Sequence, residues 1–224
     1  MTSTFQRARR PEQMAARRAA IMDAARSMLT EKSVTDISLR ELSHRVGLAK
    51  SNVLRYFDSR EAIFLELLDA QCRSWLSGLE VALGDPAPRK PGYANEIRVA
   101  AAIAASLADD PLLCELLGAM AGVLERNISA ACARDFKARA IANIDAFARL
   151  VGRRLPWLSP QACAVFAEGA LMLAAGMYPF SVPTEPVAEA MAQMGMPDPR
   201  QRFVDGLREG LVTWLVGAAA RAAG

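Results

Sequence analysis

The chain has 224 residues, with 27 lysines and arginines against 24 aspartates and glutamates, and therefore a net charge of +3. Hydrophobic residues make up 52% of the chain and charged residues 23%, which excludes a disordered protein and is typical of a globular one. Four widely spaced cysteines and a single histidine offer neither a zinc site nor a disulfide framework, so we expect reduced thiols in a cytoplasmic protein and no metal.

The charge is unevenly distributed. Residues 1–60 hold 12 basic and 6 acidic residues, a net of +6, which leaves 15 basic and 18 acidic residues and a net of −3 for the rest. A basic end on a weakly acidic body favours a polyanionic partner for the N-terminal part, although many basic tails have no function. The N-terminal arm contributes Arg7, Arg9 and Arg10, which either enter the minor groove of DNA or belong to a solubilising tail.

Helical spacing recurs along the whole chain, and strand-like alternation is missing. The first helix is predicted from about Pro11 to Leu29. The second begins at Ser38, which forms a capping box with Glu41, and Gly47 fits the left-handed position that ends it. A third helix is predicted over residues 50–56, with three apolar side chains holding it from behind, Val53, Leu54 and Phe57.

The second and third helices, joined by a short turn at Gly47, have the spacing of a helix-turn-helix, whose second helix lies in the major groove of DNA. The outward face of the third helix carries five side chains that suit bases and phosphates, Lys50, Ser51, Asn52, Arg55 and Tyr56. Asparagine binds adenine and arginine binds guanine in a bidentate manner, whereas serine and tyrosine reach phosphates. The alternative is any helical hairpin with a polar surface; the capping box, the glycine and the charge together favour DNA binding.

A fourth helix, capped by Asp58 or Ser59, is predicted to reach about Leu83 and is followed by a proline-rich loop, residues 84–92. Five later helices are predicted: from about Tyr93 to Ala108, a shorter one that begins at Pro111, from about Asn127 to Leu155, from Ser159-Pro160 to about Tyr178, and from Asp198-Pro199 to about Ala222. The connection before the last of them, Pro179 to Pro197, has room for one more short helix. The fold class is therefore all-α, with a three-helix helix-turn-helix DNA-binding domain and its basic arm at residues 1–58 and a helical ligand-binding and dimerisation domain at residues 59–224.

Two segments resemble the N-terminal domain of the tetracycline-repressor (TetR) family: SLRELS at residues 38–43 and VGLAKSNVLRYFDSREAI at residues 46–63. The RRAAI opening of the first helix, residues 17–21, is similar as well. The resemblance covers about residues 17–68; beyond them only the length and the run of helices agree. It implies a homodimeric transcription regulator, usually a repressor, that a small ligand releases from a palindromic operator in double-stranded DNA.

Position by position, the resemblance places Ser38 and Arg40, at the start of the second helix, against the DNA. It places Arg60, where the family usually has a lysine, on a DNA phosphate, a role for which the guanidinium fork is suited. Two departures from the family pattern lie beside these positions. Leu54 replaces the usual tyrosine and removes a hydroxyl that reaches a phosphate, and Ala49 replaces a common serine or threonine cap.

Two amides lie at the centres of apolar helix faces. Gln71 falls on a face of the fourth helix that also carries Trp75, and Asn143 falls on a face of the long 127–155 helix that also carries Phe147. A buried amide without a partner costs about 1–3 kcal/mol, so each requires a ligand, another helix or a water as partner. These faces hold no charged residue, so the predicted effector is a small hydrophobic, neutral or weakly polar molecule, and no cofactor is predicted.

The helix that contains Ala162 to Phe180 is apolar nearly all round. Because Glu168 lies near its middle and alanine and glycine dominate it, we expect a helix buried on all sides by protein, and no membrane partner. Small residues on this helix and on the last one permit close helix approach, namely Ala167, Ala170, Ala174, Ala175, Gly206, Gly210 and Gly217. Larger residues of the last helix add apolar area, namely Leu207, Leu211, Trp214 and Leu215. The two helices are predicted to form a four-helix bundle with a second copy, or else an intramolecular core.

An enzyme is not predicted. The sequence has no glycine-rich phosphate loop, no nucleophile with a plausible base and no carboxylate pair within an apolar face. The remaining alternatives to a repressor are an activator, or a dimeric ligand-binding module of the same fold that does not act on DNA. The basic and amide side chains at positions 50, 52, 55 and 60 argue against the module.

Overall fold

The computed structural model describes residues 3–222, with side chains from residue 12 onward. Within that part the chain is helical and contains no strand. The ten α-helices are α1 (Ser3–Met28), α2 (Leu39–Arg45), α3 (Lys50–Val53), α4 (Arg60–Leu83), α5 (Ala94–Ala108), α6 (Pro111–Ala119), α7 (Ala130–Arg154), α8 (Pro160–Met177), α9 (Glu185–Gln193) and α10 (Pro199–Ala222). The prediction of an all-α fold is confirmed.

The contacts divide the chain into two compact units. The first contains the residues up to Leu68 together with Ala119–Lys137, and the second contains Asp69–Gly118 together with the residues from Ala138 onward. The helix-turn-helix segment belongs to the first unit, whereas the two amides and the helices proposed for dimerisation belong to the second.

In the first unit, α1 begins at Ser3 and runs through Pro11, where the sequence predicts its start. The side chains of Arg7, Arg9 and Arg10 lie outside the described part of the chain. Farther along α1, Ile21, Ala25 and Met28 are buried, as their spacing on one face of a helix predicts.

The turn between α2 and α3 follows the predicted chemistry closely. The Ser38 hydroxyl accepts the Glu41 N–H at 3.2 Å, and the Glu41 carboxylate accepts the Ser38 N–H at 2.8 Å, which completes the capping box. Gly47 has a φ of +64°, a left-handed conformation in which a β-carbon would be strained. Both predictions are confirmed, and together they fix where α2 begins and ends.

In the second unit, α8 packs against α10 through small residues. The α8 residues Ala167, Ala170 and Ala174 are fully buried within the protomer. On α10, a β-carbon at Gly206 would lie 2.6 Å from Met177 Cε, and one at Gly210 would lie 2.8 Å from Leu173 Cδ2. The close approach predicted from these small residues is therefore found inside one chain.

One prediction about α10 needs correction, and one about α8 stays open. The α10 residues Leu207, Leu211 and Leu215 are fully buried in their own protomer, because α10 also packs on α5, so they offer no area to a partner. On the outer face of α8, Val165 is 46% exposed and Met172 is 63% exposed in the protomer, so burial of this face by a partner subunit stays a prediction. By length and hydropathy Pro160–Ser181 would suffice to cross a membrane, but its other face is buried against protein.

Candidate DNA-binding surface

The surface around α3 presents the polar side chains that the sequence singles out. Lys50, Ser51, Asn52 and Arg55 are exposed, and Tyr56 is half-buried. The side chains of Lys50 and Arg55 form no hydrogen bond or ion pair with any described residue, so both cations are available to a partner. On the opposite side, Val53 is fully buried and holds α3 to the unit.

The α3 helix is shorter than predicted. It ends at Val53, and the chain continues through Tyr56 in a tight turn in which Arg55 N–H donates to the Asn52 carbonyl at 3.2 Å and Tyr56 N–H to the Val53 carbonyl at 2.9 Å. Each of these hydrogen bonds joins residues three positions apart, as in a 3₁₀ turn, which is how α-helices commonly end. Leu54 follows the buried Val53 and lies about 100° around the helix from it, where it is 42% exposed, so its predicted place on the inner face is wrong.

Arg18 of α1 holds the end of this turn, a role that the sequence did not reveal. Its guanidinium donates to the Tyr56 carbonyl and pairs with the Glu66 carboxylate. It also lies 4.2 Å from the centre of the Phe57 ring, within the range of a cation–π contact. Arg18 was visible only as part of the RRAAI segment, because its partners are 38 and 48 residues away in the chain.

Arg60 at the start of α4 is largely buried, with 15% of its side chain exposed. Its guanidinium donates to the Ile37 carbonyl at 2.9 Å and to the Val34 carbonyl at 3.3 Å, and pairs with Glu61. Arg60 therefore fixes the segment that leads into α2. Its contact with a DNA phosphate stays a prediction, and these hydrogen bonds leave it less free for that role than an extended cation.

The N-terminal end of α2 presents Arg40 to solvent, without a hydrogen bond from its guanidinium to any described residue. The Ser38 hydroxyl, predicted to face DNA, is engaged in the capping box. Hydrogen bonds from Lys32 and Ser38 lower the pKa of Glu41 from 4.5 to about 2, so the capping carboxylate stays ionised at neutral pH. The Lys32–Glu41 and Arg45–Glu31 ion pairs engage two of the nearby cations, whereas the exposed side chains of Arg40, Lys50 and Arg55 form no ion pair with a described residue.

Hydrogen bonds to Asp58 and Ser59 fix the segment that joins α3 to α4 within the first unit. Ser59 caps α4, because its hydroxyl accepts the Ala62 N–H at 3.1 Å. Asp58, the other candidate for this cap, has a different role: its carboxylate accepts the Ser129 backbone N–H at 3.1 Å just before α7 begins. Hydrogen bonds from the side chain and backbone of Ser129 lower the pKa of Asp58, which stabilises the ionised form.

The two amides predicted to bind an effector have protein partners. The Gln71 amide donates to Asp110 Oδ2 at 2.7 Å, and the Asn143 amide donates to Asp69 Oδ1 at 3.0 Å. Each amide therefore has a protein partner in place of a ligand, which is one of the alternatives that the sequence leaves open. The faces themselves hold no charged residue, as predicted, but both amides reach carboxylates outside them; Asp69 is only 4% exposed and also pairs with an arginine of its own helix, Arg73.

The two aromatic residues predicted for the effector site are core residues. Phe147 is fully buried and Trp75 is 6% exposed, and their rings meet edge to face with centroids 4.9 Å apart. The Trp75 indole N–H donates to the Ser106 hydroxyl at 3.0 Å. Binding of an effector by Gln71, Trp75, Asn143 and Phe147 stays a prediction, but none of their polar groups needs a ligand as a partner.

Several solved structures share this fold. A putative TetR-family transcriptional regulator from Mesorhizobium loti is 15% identical, with 92% of this chain and 96% of that chain covered and a TM-score of 0.53. The regulator FadR from Bacillus subtilis, in complex with stearoyl-CoA, is 13% identical, with 88% and 98% covered and a TM-score of 0.53. The repressor AlkX from a Dietzia strain, implicated in biodegradation of n-alkanes, is 15% identical, with 90% and 96% covered and a TM-score of 0.51. At these identities the likeness establishes the fold alone.

Two family profiles match the sequence, and no curated protein matches it significantly. Residues 21–67 match the bacterial regulatory proteins of the tetR family, and residues 69–222 match the tetracyclin repressor-like C-terminal domain. The two profiles follow one another along most of the chain. The first contains α2, the turn at Gly47 and α3, and the second contains both amides and α8 to α10. The chain belongs to the TetR family of bacterial regulators, which bind DNA through a helix-turn-helix.

Proposed function

We propose that the protein is a repressor that binds a palindromic operator as a homodimer in the cytoplasm and leaves it when a small hydrophobic effector binds. The observation that supports this most strongly is the exposure of Lys50, Asn52 and Arg55, whose side chains form no hydrogen bond or ion pair with a described residue, on a segment held from behind by the buried Val53. Such a surface offers both base recognition and phosphate attraction, because the amide and the guanidinium match base edges whereas the ammonium attracts phosphates.

Dimerisation is proposed through the outer face of α8. Val165 and Met172 lie on this face and are exposed in the protomer, which is costly for apolar side chains in water. A two-fold axis through this face would bury the same residues of both copies. It would also set the separation of the two α3 turns, which must be about 34–36 Å or a multiple of it to meet successive major grooves.

Release by an effector requires a difference in affinity between two forms of the dimer. An effector that binds better to the form with unsuitable spacing shifts the population away from DNA, and a few kcal/mol of differential affinity suffice. A neighbour of the same fold, B. subtilis FadR, was solved with stearoyl-CoA, which supports an effector with an apolar body.

Replacing Asn52 by alanine is expected to weaken binding to the preferred duplex by about 1–3 kcal/mol and to relax the preference at one base position. Arg40→Ala is the matched control, because an exposed cation facing phosphates should weaken binding to all sequences alike. Both variants are measured by fluorescence anisotropy on the duplex selected from a random pool and on point-substituted versions of it. If Asn52→Ala and Arg40→Ala lowered the affinity equally for every duplex, the assignment of base recognition to Asn52 would be wrong.

A further inference from the structure

The second unit contains a concave apolar site formed by the end of α8, the turn Tyr178–Ser181, α9 and the start of α10. We call it the α9 groove; it is open to solvent on one side and has a volume of about 460 Å³. That volume lies within the range of about 300–1,000 Å³ found for small-molecule sites. Its lining is apolar except for Ser181 and Arg202. None of the four residues predicted for the effector, Gln71, Trp75, Asn143 and Phe147, lines it.

The apolar lining of the α9 groove is poorly covered by the chain itself. Phe180 is 79% exposed and Val187 is 50% exposed, although both line the groove. No residue of α9 is buried. A nine-residue helix is marginally stable without tertiary packing, so an occupant that buries apolar surface would stabilise α9 as well as itself.

The only cation among the lining residues of this groove is Arg202, which is exposed and makes no side-chain hydrogen bond or ion pair with the described residues. It lies with Arg200 at the start of α10, where no acidic residue occupies the first turn. Positive charge at the N-terminus of a helix opposes the helix dipole, so an anion is favoured there. Asp198 caps this helix end by accepting the Gln201 N–H at 2.8 Å and offsets one of the two positive charges, so Arg200 and Arg202 together still leave a net positive charge there.

We propose that the α9 groove is the effector site and that it binds an amphipathic monoanion, a single carboxylate on an alkyl chain. The carboxylate pairs with Arg202, and the chain lies across Phe180, Val187 and Met191. Methionine walls adapt to a flexible chain, which favours an alkyl body over a rigid ring system. This inference rests on the proposed function in that the ligand is taken to be the effector, but binding itself does not depend on DNA.

The test uses the full-length protein without DNA and isothermal titration calorimetry with three probes of equal chain length: octanoate, octan-1-ol and octyltrimethylammonium. Octanoate is expected to bind most tightly and the cation not to bind. Arg202→Glu should weaken octanoate binding about tenfold to a hundredfold and allow the cation to bind. Arg208→Glu is the matched control, since Arg208 is exposed on the same helix and does not line the groove. Equal octanoate affinity in the wild-type protein and Arg202→Glu would overturn the assignment of the anion to Arg202.

A second variant tests the location of the site independently of charge. Val187→Trp places a large ring in the groove from a half-exposed position, so the fold should persist, as far-UV circular dichroism would verify. We expect it to abolish binding of both octanoate and octan-1-ol. Undiminished binding would place the alkyl chain elsewhere and refute the proposal. If the wild-type protein did not bind DNA specifically, the proposed repressor would be refuted, but the titrations with octanoate and octan-1-ol would be unaffected. The two failures are therefore distinguishable.

Discussion

Replacing Gly169 by alanine is expected to lower the free energy of unfolding by about 2–4 kcal/mol. A β-carbon at this position would lie 2.8 Å from Trp214 Cζ2 and closer still to two other atoms of the same ring. The ring is not free to retreat, because it packs edge to face on Phe166 with centroids 6.1 Å apart. The helices α8 and α10 would have to separate, which disturbs the packing that the small residues permit.

The measurement is urea-induced unfolding at a fixed protein concentration, followed by circular dichroism. Gly78→Ala is the matched control, because Gly78 lies inside α4 with nothing within 4 Å of its β-carbon position. That control should be neutral or stabilising by up to about 1 kcal/mol. The double variant Gly169→Ala with Trp214→Leu should recover part of the loss relative to the sum of the two single variants. If Gly169→Ala and Gly78→Ala had the same free energy of unfolding, the close packing of α8 on α10 would be refuted.

Replacing Asp69 by alanine is expected to lower the free energy of unfolding by about 2–3 kcal/mol. Asp69 is 4% exposed, accepts hydrogen bonds from Arg73 at 2.6 Å and Asn143 at 3.0 Å, and forms an ion pair with Arg139 at 3.3 Å. Removing its carboxylate leaves the Asn143 amide without this acceptor and the two arginines without this ion-pair partner. The expected loss is below the 3–5 kcal/mol of a fully buried pair, because both arginine side chains are partly exposed and regain water.

Two companion variants separate charge from hydrogen bonding at Asp69. Asp69→Asn keeps the size of the side chain and an oxygen acceptor for Asn143, so it should lose less stability than Asp69→Ala. Arg73→Ala removes an ion pair from a residue that is 59% exposed and should change stability by no more than about 1 kcal/mol. All are measured by urea unfolding. Equal stability of Asp69→Ala and the wild-type protein would contradict a structural role for this cluster.

Local sequence signals predicted the candidate DNA-binding segment well. The capping box at Ser38 and the left-handed Gly47 depend on residues within a few positions of one another, and both are found as predicted. The buried face of α1 likewise follows from spacing alone. The length of α3 was not predictable in this way, since Val53 to Tyr56 is compatible with either a helix or the tighter turn that forms.

Long-range contacts explain what the sequence did not reveal. A helical wheel places Gln71 and Asn143 on particular faces, but it does not identify Asp110 and Asp69 as their partners, 39 and 74 residues away. The structural role of Arg60 depends in the same way on carbonyls more than 20 residues upstream. The small residues of α8 predicted close packing correctly, yet not whether the neighbouring helix belongs to the same chain.

The central claim, that the exposed side chains of α3 and its turn read double-stranded DNA, is tested most directly by the salt and sequence dependence of duplex binding. The full-length protein is titrated onto the duplex enriched from a random pool and onto a scrambled duplex, at several salt concentrations. We expect affinity for both duplexes to fall steeply with salt, because phosphate contacts release counterions, while the preference for the selected duplex persists. Weak binding that is equal for both duplexes at every salt concentration would contradict the claim.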